Sequence, residues 1–246
     1  MNARAPVIGE RDGAPIYQLS TGDRYRSGMG VGELWEEMGR LQFEFLVDEG
    51  LRPRHRLLDV GCGSLRGGVR FIEYLNEGRY FGVDGDQRML VAAREVELPR
   101  YGLEGKVPTL ERRDDFDFSV FRTRFEFALA QSVFTHLPWN SIQRCLANVG
   151  PVLAARGRFY TTFFEDPDGG HRSGPLTHQR GGITTHPDAN PYHYEYAVFE
   201  ELADRLGLRV RYLGDWGHPR DQKMIVFSRR RTLLRFPAAG ASRKTR

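Results

Sequence analysis

Apolar positions along the chain fall into two alternating rhythms. From Gly32 to Leu51, Leu34, Trp35, Met38, Leu41, Phe45 and Leu46 recur three and four residues apart, the spacing of one helix face. After Pro53 comes a compact apolar run, Leu57-Leu58-Asp59-Val60, which ends at Gly61 and reads as a buried strand followed by a turn. Val69 to Leu75 predicts a second helix, Arg79 to Asp84 a second strand, and Gln87 to Leu98 a third helix closed by Pro99. Val107–Arg113, Phe125–Ala130 and Gly157–Phe164 predict three further strands, with a helix over Ile142–Leu153 before the last of them. The rhythm then breaks. Glu165 to Pro191 is broken by Pro167, Pro175, Pro187 and Pro191 and shows almost no apolar period. A stretch of that length inside a folded unit is a functional loop or a disordered one. A helix over Tyr196–Leu206 and strands over Leu208–Leu213 and Lys223–Ser228 complete the pattern. Strands alternating with helices predict an α/β fold with a mostly parallel sheet.

Charge changes the picture less than its total implies. The 246 residues carry a net charge of +4, which on its own invites a nucleic-acid or membrane-surface role. The segment Arg229–Arg246 holds seven of the basic residues and no acid; without it 29 basic residues face 32 acidic ones. The positive balance therefore belongs to a tail. The two cysteines, Cys62 and Cys145, make no disulfide framework and fit a reducing, cytoplasmic setting. The first 20 residues lack a signal-peptide run and are expected to be flexible, and nowhere do 18 apolar residues run together, so no membrane span is expected.

Two segments carry candidate chemistry. In Leu57-Leu-Asp-Val-Gly-Cys-Gly-Ser-Leu-Arg-Gly-Gly68 a strand runs into glycines and then into a helix. Gly61 and Gly63 permit positive φ and close approach of a ligand to the backbone. If they are the first two glycines of a dinucleotide fingerprint, the third falls on Arg66, so the pyrophosphate pattern fails. Asp84 follows Gly61 by 23 residues at the end of the next strand, where a carboxylate can bridge the two hydroxyls of a ribose. Asp86 is expected to cap the following helix.

Taken with FALAQSVFTHLP and GRFYTTFF, the motifs LLDVGCGSLRGG and YFGVDGD make the sequence resemble the class I S-adenosylmethionine-dependent methyltransferases over roughly Tyr25–Ser228. WEEMGRLQFEFL and DWGHPRDQKMIVF resemble a subset of small bacterial enzymes within that superfamily. The resemblance implies a Rossmann-like, mostly parallel twisted sheet of about seven strands, with an antiparallel last strand and helices on both faces. It implies a flexible segment 1–20, a methyltransferase domain over 21–228 with a substrate lid at 165–193, and a basic tail 229–246. S-adenosylmethionine would lie over Asp59, Gly61, Cys62 and Gly63, with its ribose on Asp84 and Gly85. Its adenine would meet Asp114, with Asp115 next, beside Phe116, and Gln131 and Ser132 would border the methyl group; S-adenosylhomocysteine would be the product. The family often has a third glycine where this chain has Leu65, which predicts a differently shaped loop.

His136 closes the segment at the carboxyl end of the fourth strand, where an open α/β sheet holds its ligand. Imidazole titrates near neutral pH and is the candidate general base for an acceptor hydroxyl; the alternative is a structural hydrogen bond that caps the turn before Pro138. The segment has neither the Asn/Asp-Pro-Pro-Tyr type pattern of amino methyltransferases nor the carboxylate of divalent-metal catechol-type enzymes. The expected acceptor is therefore the oxygen of a small molecule or saccharide, with Glu165, His171, Tyr192, His193 and Tyr194 as acceptor contacts from the lid. His171, His178, His186 and His193 match no compact metal motif, and no metal is expected. The Trp216–Pro219 stretch predicts the turn between the last two strands. A monomer or homodimer is expected, and nucleic acid is not an expected partner. Two rival readings are a methyltransferase acting on RNA or protein, which only the tail favours, and a non-catalytic cofactor-binding scaffold.

Overall fold

In the computed structural model the described residues are 34–230 together with the backbone of 7–11 and 14–17. The latter form two short antiparallel strands, β1 (Val7–Arg11) and β2 (Ala14–Tyr17), within the segment expected to be flexible. The other residues of 1–33, and the basic tail beyond Arg230, lie outside the described residues.

Helix α1 (Trp35–Asp48) buries Trp35, Met38, Gly39, Gln42 and Leu46 on one side, following the predicted stripe. It stops at Gly50, whose φ of +96° lets the Gly50 and Leu51 N–H groups return to the carbonyls of Val47 and Leu46. Strand β3 (Leu57–Val60) is buried along its whole length, as a central strand covered on both faces must be. Helix α2 (Gly68–Tyr74) and strand β4 (Tyr80–Asp84) follow as predicted. The third helix departs from expectation. It starts as α3 (Gln87–Ala92), widens into a π-helical stretch over Ala93–Glu97, and ends as α4 (Leu98–Arg100), so Pro99 lies inside the last turn. A proline ring crowds the carbonyl four residues back, here that of Glu95, and the wider π spiral makes room around it. Strands β5 (Thr109–Arg112) and β6 (Phe125–Ala130), helix α5 (Trp139–Val152) and strand β7 (Leu153–Glu165) complete the parallel half.

The Glu165–Pro191 stretch contains a two-stranded ladder, β8 (Leu176–Thr177) with β9 (Thr184–Thr185). Strand β10 (His193–Tyr194) then pairs in parallel with the end of β7, His193 opposite Phe164 and Tyr194 opposite Glu165. Helix α6 (Tyr196–Arg205) leads into β11 (Leu208–Asp215) and β12 (Lys223–Arg229). The main sheet runs β11-β12-β7-β6-β3-β4-β5, with β10 added beside β7. Only β12 runs against its neighbours, as predicted for the last strand. Strand order reverses between β3 and β6, which opens a crevice at their carboxyl ends. Helices cover both faces, over one apolar cluster containing Phe134, Leu146, Phe159 and Phe199 and another containing Leu46, Leu57, Phe71 and Tyr160.

One close approach fixes α1 over the crevice. A Cβ on Gly39 would stand 2.4 Å from the backbone oxygen of Arg66, in the glycine-rich loop. Gly39→Ala gains up to about 1 kcal/mol of helix propensity. It must also push backbone against backbone, at a cost of about 1–3 kcal/mol. The variant is expected to unfold at lower denaturant than the parent; an unchanged or higher midpoint would show that α1 is not held by this contact.

Candidate active site

The crevice holds a cavity of about 540 Å³. Its floor is the loop after β3. Gly61 (φ +70°) and Gly63 (φ +55°) take the left-handed conformations expected of them. A Cβ on Gly61 would lie 2.5 Å from Val133 Cγ2, so the loop and the turn after β6 nearly touch. Leu65 also has positive φ, +72°, a left-handed conformation that glycine adopts without strain. A left-handed Leu costs roughly 1–2 kcal/mol. Complete burial of its side chain contributes about 1.5–3 kcal/mol and offsets that cost.

Asp84 ties the loop to β4. Its Oδ2 accepts the Gly63 N–H at 2.8 Å and its Oδ1 the Asp86 N–H at 2.8 Å. A carboxylate has about four acceptor sites, so both oxygens keep capacity for ligand hydroxyls. Burial pushes the Asp84 pKa up, and the two amide bonds work against that shift. Asp86 caps α3 through the Arg88 N–H, as expected, and also pairs with the Arg88 guanidinium. Asp59 is buried and accepts the Tyr80 hydroxyl proton at 2.6 Å; burial raises its pKa to about 7. Cys62 is buried in the cavity wall with its thiol pKa pushed up by burial, consistent with a space-filling role.

The opposite wall is built around Gln131, just past β6. Its Oε1 accepts from Gln42 Nε2 at 3.0 Å and from Arg66 Nη2; its Nε2 donates to Ser132 Oγ at 2.6 Å and lies 3.1 Å from His218 Nε2. Ser132 (φ +57°) and Thr162 both donate to Gln222 Oε1. The Trp216–Pro219 turn joins β11 to β12 as predicted, but His218 is buried against this network. Burial and the charges of Arg66, Arg220 and Arg180 lower its pKa to about 3, so it is neutral at ordinary pH.

His136 lies at the cavity edge, exposed, with Nδ1 2.6 Å from Asn190 Oδ1. Three further contacts bind the Glu165–Pro191 stretch and its sequel to the same turn. The Tyr192 N–H donates to the Thr135 carbonyl, Tyr194 Oη donates to the Leu137 carbonyl, and Tyr194 packs on Trp139. Phe164, Ile183 and Pro191 complete the cavity wall on this side.

Several expected contacts lie elsewhere. Glu165 accepts the Tyr212 hydroxyl, His193 is buried between Thr185 Oγ1 and the His171 carbonyl, and His171 bonds the Pro175 carbonyl. Tyr192 and Tyr194 stack on each other. None of these five lines the cavity: the lid's polar residues hold its own fold, because a loop with so little apolar content must satisfy its backbone internally. Asp114 sits beside Gly85, exposed and paired with Arg112, while Asp115 bonds the Asp117 N–H and Phe116 is buried; all four lie at the β4–β5 edge beyond the cavity wall. Conversely, Gln42, Arg66, Arg220 and Gln222 reach the cavity unpredicted, and Asn190 stands behind His136 at its edge. Gln42 had a signal, a polar side chain in the buried stripe of α1.

A family model described as a methyltransferase domain matches residues 58–159. The match runs from β3 into β7, across the glycine-rich loop and Asp84, and covers less than half of the chain. Solved structures agree on the fold. An S-adenosylmethionine-dependent methyltransferase from Clostridium acetobutylicum is similar at TM-score 0.62 and 11% identity, over 84% of this chain and 99% of that one. DesVI of Streptomyces venezuelae is similar at TM-score 0.59 and 19% identity, over 87% and 100%. Magnesium protoporphyrin IX methyltransferase of Synechocystis PCC 6803, with bound SAM, is similar at TM-score 0.59 and 14% identity, over 87% and 88%. Among the described residues of the methyltransferase domain and its flanks, no helix is long and apolar enough to cross a membrane.

Asp59 gives the domain a measurable pH signature. The folded chain holds a proton there that the unfolded chain releases above about pH 4. The stabilisation is therefore full below about 4 and lost as pH rises through about 7. Asp59→Asn cannot titrate and still offers Tyr80 an acceptor. Its melting temperature relative to the parent is expected to rise from pH 4 to pH 7.5, and a constant difference across that range would refute the raised pKa.

Proposed function

We propose that the chain is an S-adenosylmethionine-dependent methyltransferase acting on a hydroxyl of a small molecule or saccharide, with His136 as general base. The observation that carries this reading is the His136–Asn190 contact at the edge of the glycine-loop cavity. An amide oxygen only accepts, so Nδ1 holds the ring proton and Nε2 keeps its lone pair.

The cavity suits the cofactor. Left-handed Gly61 and Gly63 present backbone without side chains, and Asp84 retains acceptor capacity for vicinal hydroxyls. Asp59, whose pKa of about 7 leaves it ready to ionise, fits a neighbouring ammonium group. Bound there, S-adenosylmethionine would supply a methyl group on a positively charged sulfur, with a good leaving group already in place. The chain's contribution is then mainly alignment, which can supply roughly 7–11 kcal/mol. The lid wall of Phe164, Ile183 and Pro191 excludes water and orients the acceptor. His136 Nε2 takes the hydroxyl proton as the oxygen–carbon bond forms, and Asn190 holds the ring in the tautomer that makes this possible. The polar lid residues outside the cavity act by keeping Asn190 and Pro191 in place.

Transfer of labelled methyl from S-adenosylmethionine to a panel of hydroxyl acceptors, beside calorimetric titration of the cofactor, tests the reading directly; absence of cofactor binding ends it. His136→Ala is expected to lower kcat about 10²–10⁴-fold with little change in cofactor affinity. Near-parental turnover would remove the base role. Asn190→Asp places a carboxylate against the ring, which favours the imidazolium, so the acid limb of the kcat profile is expected to move to higher pH. An unmoved limb would show that Asn190 does not hold the titrating ring.

A further inference from the structure

The cavity is lined by charges of both signs. Among the acids of its lining, Asp84 accepts two backbone amides and Asp86 pairs with Arg88. Two further guanidinium groups, Arg66 from the glycine-rich loop and Arg220 from the β11–β12 turn, line the same cavity, and the Arg220 charge acts on Arg66. Arg66 pairs with no carboxylate among the described residues. Its Nη2 is given to a neutral amide oxygen, that of Gln131, and its Nε is sealed from solvent without any hydrogen-bond partner. The nearest acid acting on it is Asp59, which is held largely protonated below about pH 7 and is bonded to Tyr80. Burial and the Arg220 charge lower the Arg66 pKa to about 10, yet it stays charged at neutral pH. Arg180 nearby shows the contrasting case, a guanidinium bonded through both Nη atoms to the Asp215 carboxylate. A buried guanidinium with unused donors and no countercharge is costly to the fold unless a ligand supplies the anion.

We propose that Arg66 and Arg220 form an oxyanion subsite, so that the methyl acceptor carries a carboxylate or phosphate group beside the hydroxyl that is methylated. The planar guanidinium matches such a group with paired hydrogen bonds, and it retains its charge across the working pH range. Gln131 and Gln222 also line the cavity and, as neutral amides, add no charge that would repel an anion. This inference rests on the methyltransferase reading and narrows its substrate class. The other possible owner of an oxyanion here is the cofactor, through its own carboxylate, and the test separates the two.

The protein saturated with S-adenosylhomocysteine is titrated calorimetrically with inorganic phosphate and, separately, with acetate, for the parent, Arg66→Gln and Arg220→Gln; S-adenosylhomocysteine itself is titrated into each unloaded protein. The expected result is measurable binding of at least one anion to the loaded parent, weakened tenfold or more in each variant, with S-adenosylhomocysteine affinity within about threefold of the parent. Arg66→Lys, which keeps the charge but not the paired geometry, is expected to retain part of the anion binding. Failure of the loaded parent to bind either anion overturns the proposal. So does a tenfold loss of S-adenosylhomocysteine affinity in Arg66→Gln, since the guanidinium would then serve the cofactor. If the unloaded parent does not bind S-adenosylhomocysteine at all, the methyltransferase reading itself fails, a result distinct from either. Arg220→Gln changes the β11–β12 turn and leaves the sequence of the glycine-rich loop intact, so it keeps the test decisive if Arg66→Gln fails to fold.

Discussion

The carboxyl edge of the sheet converges on one neutral amide. Gln131 receives Gln42 from the first helix and Arg66 from the glycine-rich loop, and it touches Ser132 in the next turn and His218 between the last two strands. Four chain segments far apart in sequence are thereby held at hydrogen-bond distance around one side chain. Its amide carries both an acceptor and donors, which no apolar or singly charged side chain could offer to so mixed a set. A buried network of this kind is worth keeping only when its members are satisfied, and Gln131 is saturated. Arg66 is the member that is not.

The glycine-rich loop depends on a second economy. The Gly63 N–H bond to Asp84 ties the loop after β3 to the end of β4, the Asp86 N–H holds the other oxygen, and the same carboxylate remains open toward the cavity. The turn keeps three left-handed residues, of which Leu65 is no glycine. Burial of Leu65 in the apolar cluster with Val69 and Phe71 compensates the strained conformation.

Much of the fold was legible in the sequence. Seven strands and five helical segments follow from period and punctuation, because burial on one stripe or along a central strand leaves a local signature. The end of the third helix was not, because Pro99 was read as a stop and the π-helical stretch that admits it has no such signature. Within the site, Gly61, Gly63, Asp84 and His136 were legible from local chemistry at strand ends. The lid was misread: its histidines and tyrosines drew attention as ligand contacts, whereas they hold one another and the backbone. Asn190 could not be read, since what brings it to His136 is a contact between residues 54 positions apart; Arg220 could not be read either, since the turn that carries it reaches the cavity through the pairing of β12 with β7.

The short parallel pairing of β10 with β7 has a wider consequence. It stitches the end of the 165–193 loop into the sheet three residues beyond the point where Asn190 meets His136. The lid is thus an extension of the sheet edge and shares its rigidity. Evolutionary exchange of the whole loop, a common route to new substrates in enzymes with free-hanging lids, would here unseat the proposed base as well. Single replacements on the cavity wall, by contrast, would leave the His136–Asn190 contact in place.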